Sequence, residues 1–264
     1  MIDTINVHGP DQTHERIGQG EILLVSATNP DEVARLGLPP ERRWFAEALG
    51  IPEARIDVVN AISDPLPGTV TQHGVIIGGS PYSPQDRDPW MLRLEGLVRS
   101  LNEQEVPTLG ICFGHQLGAQ ALGGSVVRGE NGREFPVAQL ELTPQGEAHP
   151  LFRGLPPSFP IGTSHQDVVE RVPPGAQVLA HTSQYPNQAF VKGSFIGIQA
   201  HPEDTHAILE ALARARQRAL TDEGIIPEGG LDSFLEQLRA ADIEQNGQQI
   251  LGNFLRIAQP QPQG

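Results

Sequence analysis

The 264-residue chain contains a single cysteine, Cys112. One thiol excludes an intramolecular disulfide and a multi-thiolate metal cluster, and such sparing use fits a reducing compartment. Basic residues are also scarce, with 18 Lys plus Arg against 32 Asp plus Glu and a formal net charge of -14. An acidic surface does not attract nucleic-acid phosphates or anionic lipid, so neither nucleic acid nor membrane is expected as a partner. No apolar run approaches the length needed to span a bilayer. The opening residues Met1-Ile2-Asp3-Thr4-Ile5 lack the basic start and apolar stretch of a signal peptide, and a cytoplasmic location is expected. There is no internal repeat. Gly123-Gly124 lacks a lysine at Walker spacing and the histidines are scattered, so no nucleotide, other cofactor or metal is expected.

Glycine (29) and proline (24), by contrast, are plentiful and imply many well-defined turns. The length suits one sizeable α/β domain. Residues 1–20 show little periodicity and read as an N-terminal extension. Short apolar strands follow at Glu21–Val25, Arg55–Val59, Gly74–Ile77 and Val106–Ile111, separated by helical stretches at Glu41–Leu49 and Pro89–Leu101. That alternation predicts a mostly parallel sheet with helices on both faces, which binds ligands beyond the carboxyl ends of its strands. From Val126 onward the strands, such as Val137–Leu142 and Val178–Ala180, lie between proline-rich turns and read as antiparallel. An apolar strand returns at Phe195–Gln199, before helices expected at Thr205–Leu220, Leu231–Ala241 and Gln248–Ala258. The domain is expected over 21–258, with 221–247 an additional helical segment and 259–264 a disordered tail.

The lone cysteine sits in Gly110-Ile111-Cys112-Phe113-Gly114, between the strand ending at Ile111 and a helical pattern from His115 to Leu122. A free cysteine is ordinarily a small buried hydrophobe. Glycines on either side of a strand-to-helix turn instead suit a nucleophile elbow, with cysteine in place of serine and a helix N-terminus favouring negative charge there. Downstream, His201-Pro202-Glu203 follows a strand end and offers a base and its orienting carboxylate, if the fold brings the two strand ends together. Upstream, Ile77-Gly78-Gly79-Ser80-Pro81 has two readings that stand even: an ordinary strand-ending turn, or a backbone that donates N–H groups to an oxyanion near Gly79, alongside Phe113.

Together, Gly-Ile-Cys-Phe-Gly-His-Gln, the His-Pro-Glu and the Gly-Gly-Ser-Pro resemble class I glutamine amidotransferases, in particular free-standing proteins like the amidotransferase domain of GMP synthase. Ser164-His165-Gln166-Asp167, Asn187-Gln188-Ala189-Phe190 and Asn253-Phe254-Leu255 extend the resemblance, which runs from about Glu21 to Leu255. It implies a flavodoxin-like open sheet, mostly parallel, with a small antiparallel subsheet. It also implies that Cys112 attacks the glutamine side-chain amide to form a thioester, with His201 moving the proton and Glu203 orienting it. Gly79 and Phe113 would form the oxyanion hole, and Gly78, Gln116, His165, Gln166 and Asp167 would hold the substrate. Ala200 departs from the aromatic residue usual before the histidine. Residues 221–264 are too few for a synthetase domain, so GMP synthesis by this chain alone is not expected, and ammonia would pass to a synthetase partner. The other readings are a stand-alone γ-glutamyl peptidase or hydrolase, since the pocket alone decides the leaving group, and a non-catalytic glutamine-binding regulatory subunit, against which the intact Cys112, His201 and Glu203 argue.

Overall fold

A computed structural model of the chain describes residues 20–259. The expected N-terminal extension, apart from Gly20, and the expected tail beyond residue 259 lie outside the described residues. In chain order the elements are β1 (Ile22–Ser26), α1 (Pro30–Arg35), α2 (Glu41–Leu49), β2 (Ile56–Asn60), β3 (Gly74–Ile77), α3 (Pro89–Glu103), β4 (Thr108–Ile111) and α4 (Phe113–Ala121). Next come β5 (Ser125–Arg128), β6 (Val137–Leu142), α5 (Pro144–Ala148), β7 (Ser158–Gly162), β8 (Asp167–Arg171), β9 (Gln177–His181), β10 (Ala189–Lys192) and β11 (Phe195–Ile198). Four helices close the chain: α6 (His206–Ala215), α7 (Gln217–Asp222), α8 (Leu231–Arg239) and α9 (Ile243–Ala258).

Nine strands form one mixed sheet in the order β2-β1-β3-β4-β11-β10-β9-β6-β7, and β5 pairs with β8 in a separate two-stranded antiparallel sheet. The first five are mutually parallel, and their order is the 2-1-3-4-5 of a flavodoxin-like sheet, with β11 in the fifth place. The remaining strands continue that sheet antiparallel from β11 outward.

Alternation along the strands explains why this half is apolar throughout. Ile22 and Leu24 of β1 join the core on one face, with α2 and α9, while Leu23 and Val25 join the core on the other, with α3 and α4. A third cluster, in which Leu209, Leu220, Leu235 and Leu238 pack with Phe135, gathers α6, α7 and α8. Among the described residues no helix is long and apolar enough to cross a membrane.

Three helices differ from expectation. The helix expected over Thr205–Leu220 is broken at Arg216, whose backbone (φ -107, ψ 11) ends α6 and precedes α7. Helix α9 starts at Ile243 rather than Gln248, because the polar turn Glu244-Gln245-Asn246 hides the buried pair Ile243 and Gly247. Helix α4 starts at Phe113, immediately after the cysteine.

Candidate active site

Parallel register gathers the site at one edge of the sheet. Ile77 pairs with Gly110, and Ile111 with Ile198, so the residues that follow β3, β4 and β11 emerge side by side. Between β4 and α4 there is only Cys112, which makes the turn alone at φ 49 and ψ -100. Positive φ is costly for a residue with a Cβ and persists where surrounding contacts over-determine it. Those contacts are visible in the flanking glycines. A Cβ on Gly110 would lie 2.6 Å from the Gly114 carbonyl oxygen, and one on Gly114 would run into the carbonyl oxygen of Ile77. The Cys112 N–H also donates to the Ile198 carbonyl at 2.9 Å, tying the elbow to β11.

His201 comes from the end of β11, where its backbone N–H donates to the Gly162 carbonyl at 2.8 Å. Its ring lines the same cavity as Cys112 and interacts with it electrostatically, and its Nδ1 lies 2.8 Å from Glu203 Oε1. Burial by itself lowers the imidazole's pKa. Glu203, Cys112 and Asp204 outweigh that effect and hold His201 well above its ordinary value. Trp44 of α2 donates its indole N–H to the Glu203 backbone carbonyl at 2.8 Å, fixing the loop from the opposite side. Gly79 lies against the same ring: a Cβ there would be 2.8 Å from His201 Cε1. Phe113 opens α4, so its N–H has no acceptor within the helix, and its ring stacks on Trp90 at 5.4 Å between centroids. The neighbouring His115 is fully buried against Phe190, and burial lowers its pKa to about 3, so it stays neutral.

Cys112 opens onto two cavities that share Ser80, Pro81, Ser164 and Arg216. The larger, about 310 Å³, is polar and includes Gln116, His165, Gln166 and Asp167. Gln116 Nε2 donates to the Asp167 carbonyl at 2.7 Å and to Gln199 Oε1 at 3.1 Å, so its own carbonyl oxygen is the polar atom left to meet a ligand. The His165 ring is held by Glu134 at 2.9 Å and by the Asp167 carbonyl at 3.2 Å, and its backbone N–H and carbonyl pair with those of Glu134, so its polar groups are committed within the protein. Gln166 is turned toward Glu223 at 2.8 Å. The Asp167 carboxylate accepts from Ser83 and lies 3.6 Å from Arg128. Gly78 is not brought into either cavity's lining, since its N–H donates to the Val25 carbonyl at 3.1 Å within the sheet. Ala200 is buried in the core behind the histidine.

The smaller cavity, about 170 Å³, lies on the His201 side and carries residues that the motifs do not flag. Glu41 accepts from Ser26 and from Thr28, the latter at 2.9 Å. Burial raises its pKa, those two bonds counter it, and the Glu203 charge adds to the rise. Asp204 is 4% exposed, and neither carboxylate oxygen has a hydrogen-bond partner among the described residues. Burial raises it to about 7, against the pull of His201 and with a push from Glu203. Arg216 donates to Ser164 Oγ at 2.9 Å, and burial and Arg133 lower its pKa while Cys112 and Asp204 raise it. His201, Glu203 and Asp204 present donor atoms within 4.8 Å of one another, but Nδ1 of His201 is already committed to Glu203. The set therefore suits proton handling better than metal ligation. Asp204 has one readable signal in the sequence, its place next to Glu203; Arg216 has none.

A thiol at a strained elbow, beside a buried histidine–carboxylate pair at the carboxyl edge of a parallel sheet, is an arrangement chemically able to carry out acyl transfer. Residues 47–212 match the family described as glutamine amidotransferase class-I, and the chain belongs to that family. It is 35% identical over 169 residues to a glutamine-hydrolysing GMP synthase of Thermomicrobium roseum, a match covering 62% of this chain and 29% of that protein. It is 30% identical over 197 residues to gamma-glutamyl peptidase 4 of Arabidopsis thaliana, covering 72% of this chain and 78% of the peptidase. The solved structure of a glutamine amidotransferase from Thermotoga maritima has the same fold, with a TM-score of 0.71 and 21% identity over 92% of this chain and all of that one.

Proposed function

We propose that this chain hydrolyses the side-chain amide of glutamine or a related γ-glutamyl amide through a thioester on Cys112. The observation that carries the reading is the Cys112 elbow opening onto the same cavity as a His201 whose Nδ1 is held by Glu203. Cys112 attacks the γ-carbonyl carbon as the thiolate. The oxyanion that forms is met by the N–H groups of Phe113 and the Gly79 segment. His201 delivers its proton to the leaving nitrogen, the C–N bond breaks, and an amine or ammonia departs from a γ-glutamyl thioester. His201 then takes a proton from water, hydroxide adds to the thioester, and collapse releases glutamate and restores the thiol pair. Glu203 stabilises the imidazolium and fixes its tautomer throughout. Gln116 holds the amino-acid end in the polar cavity, where its side-chain carbonyl suits an α-ammonium.

The relatives support two fates for the nitrogen. Likeness to one part of a GMP synthase supports delivery of ammonia to a separate synthetase partner. Likeness to a γ-glutamyl peptidase over most of its length supports release of a larger amine without a partner. The size of the cavity on the His201 side favours the second.

The test is release of glutamate and ammonia from glutamine by the purified protein, with Cys112→Ala beside it. Loss of about 10³-fold or more in the variant is expected. Equal release by both proteins rules out Cys112 as the nucleophile.

A further inference from the structure

The two cavities meet at Cys112, and His201 belongs to the wall of the smaller one only. This geometry gives them different roles. If Cys112 and His201 act as proposed, the acyl half of the substrate occupies the polar cavity, and the departing nitrogen must face His201. Whatever is attached to that nitrogen therefore enters the smaller cavity.

That cavity is far too large for ammonia. Ammonia is about the size of water, whose share of liquid volume is roughly 30 Å³, whereas a site of about 150 Å³ holds benzene. The cavity measures about 170 Å³, and Val33, Leu36, Leu38, Trp44, Phe45 and Leu212 give it an apolar wall. Its charged lining is acidic on balance: Glu32, Glu41, Glu203 and Asp204 stand with two cationic groups, Arg216 and His201. Glu203 is engaged with His201, Glu41 with Ser26 and Thr28, and Arg216 with Ser164. Glu32 is exposed, which leaves Asp204, almost wholly buried and with neither carboxylate oxygen partnered among the described residues. A buried carboxylate left without a donor is costly, and a ligand that brings one recovers the cost.

The origin of the walls agrees with a specificity role. Apart from Arg216, every residue lining the polar cavity falls within the family match at residues 47–212. In the smaller cavity, Thr28 to Phe45 and Arg216 fall outside that match.

We infer that the smaller cavity is a leaving-group subsite for an amine with an apolar body of about benzene's size and a positively charged end that pairs with Asp204. The substrate class is then a γ-glutamyl amide of a hydrophobic, cationic amine. A γ-glutamyl peptide, whose leaving part ends in a carboxylate, fits this subsite poorly because its charge meets the acidic lining. The inference rests on the proposed thioester chemistry for the direction in which the substrate lies.

Binding to the Cys112→Ser protein, measured by calorimetry, tests it without requiring turnover. Four compounds suffice: L-glutamine, γ-L-glutamyl-benzylamide, and that benzylamide carrying either a 4-aminomethyl or a 4-carboxyl group. The aminomethyl compound is expected to bind at least tenfold more tightly than glutamine and than its carboxyl isostere. Asp204→Asn should close the gap between those two isosteres, and Leu212→Trp, which fills the cavity, should weaken all three benzyl compounds relative to glutamine. Glutamine binding as tightly as the aminomethyl compound overturns the inference and leaves the space as a passage for ammonia. Tighter binding of the carboxyl isostere overturns it too, in favour of a peptide. Assay of the wild type on the same four compounds separates the two layers. Cys112-dependent release of glutamate without the binding preference removes the subsite alone. The preference without any Cys112-dependent release removes the catalytic reading and leaves the subsite.

Discussion

Asp204→Asn makes the sharpest test of the site's electrostatics. The carboxyl is buried beside His201, Glu203 and Arg216, and burial raises its pKa from 3.8 to about 7. In the folded state it therefore holds a proton that the unfolded chain has already released. Stability rises with pH only where the unfolded state binds more protons, and here the folded state binds more. The contribution is therefore fully present below about pH 4, is lost progressively up to about pH 7 and is flat above. A tenfold difference in proton affinity between the folded and unfolded chain corresponds to about 1.4 kcal/mol. On that scale the whole window is worth roughly 4 kcal/mol as an upper limit, and the part between pH 5 and pH 8 roughly 3 kcal/mol.

Asparagine removes the ionisation and leaves a polar amide in the same place. Any cost of that amide's unmet hydrogen bonds, about 1–3 kcal/mol, is the same at every pH. The pH slope thus isolates the carboxyl from the packing. Urea unfolding of wild type and variant at half-unit steps from pH 5 to pH 8.5 reads it directly. The variant is expected to gain on the wild type by about 2–3 kcal/mol across that range. Parallel stability curves would refute the reasoning, and so would a variant that loses ground as pH rises, since that sign belongs to an Asp204–Arg216 ion pair formed on ionisation.

Gly79→Ala places a methyl group 2.8 Å from His201 Cε1, so the ring must shift; kcat for glutamine is expected to fall about 10²-fold with a smaller change in KM, and an unchanged kcat would remove the argument for contact. Glu203→Gln keeps an acceptor for the imidazole but removes the charge that counters burial, so His201 should titrate lower and the alkaline limb of the pH–rate profile should move to lower pH. An unmoved limb would mean that Glu203 does not set the histidine's protonation. Trp44→Phe loses the indole donor to the Glu203 carbonyl, an effect of about 1 kcal/mol that should appear mainly in kcat, as expected of a positioning residue. Treatment with a chelator should leave glutamate release unchanged, because His201 Nδ1 and Glu203 Oε1 are already bonded to each other.

The parts of the fold and site that are legible in the sequence are those encoded locally. β3 is legible residue for residue because both faces of its sheet are buried and its apolar run needs no partner to be recognised. The elbow is legible for a similar reason: Gly110 and Gly114 answer to close approaches set by the turn itself. Adjacent residues that differ only in register are not legible. Gly78 and Gly79 look alike in sequence, yet the pairing of Gly78 with Val25 turns one N–H into the sheet and leaves the next residue against His201. Asp204 is visible beside Glu203, but its lack of a partner depends on α6 and the end of β7 packing around it, which no local pattern encodes. Arg216 lies inside an unbroken helical pattern and emerges only through the break between α6 and α7. The division has a consequence for reading function. Apart from Arg216, the polar cavity is lined by residues inside the family match, Cys112, Gln116 and His165 to Asp167 among them, so that side is the more legible in sequence. To the smaller cavity, α1, α2 and the helix break at Arg216 add side chains that belong to no motif and meet the motif residues only in three dimensions. If the smaller cavity takes the leaving group as proposed, its selectivity is a property of the fold, and Asp204, Leu212 and Arg216 are where it should be sought.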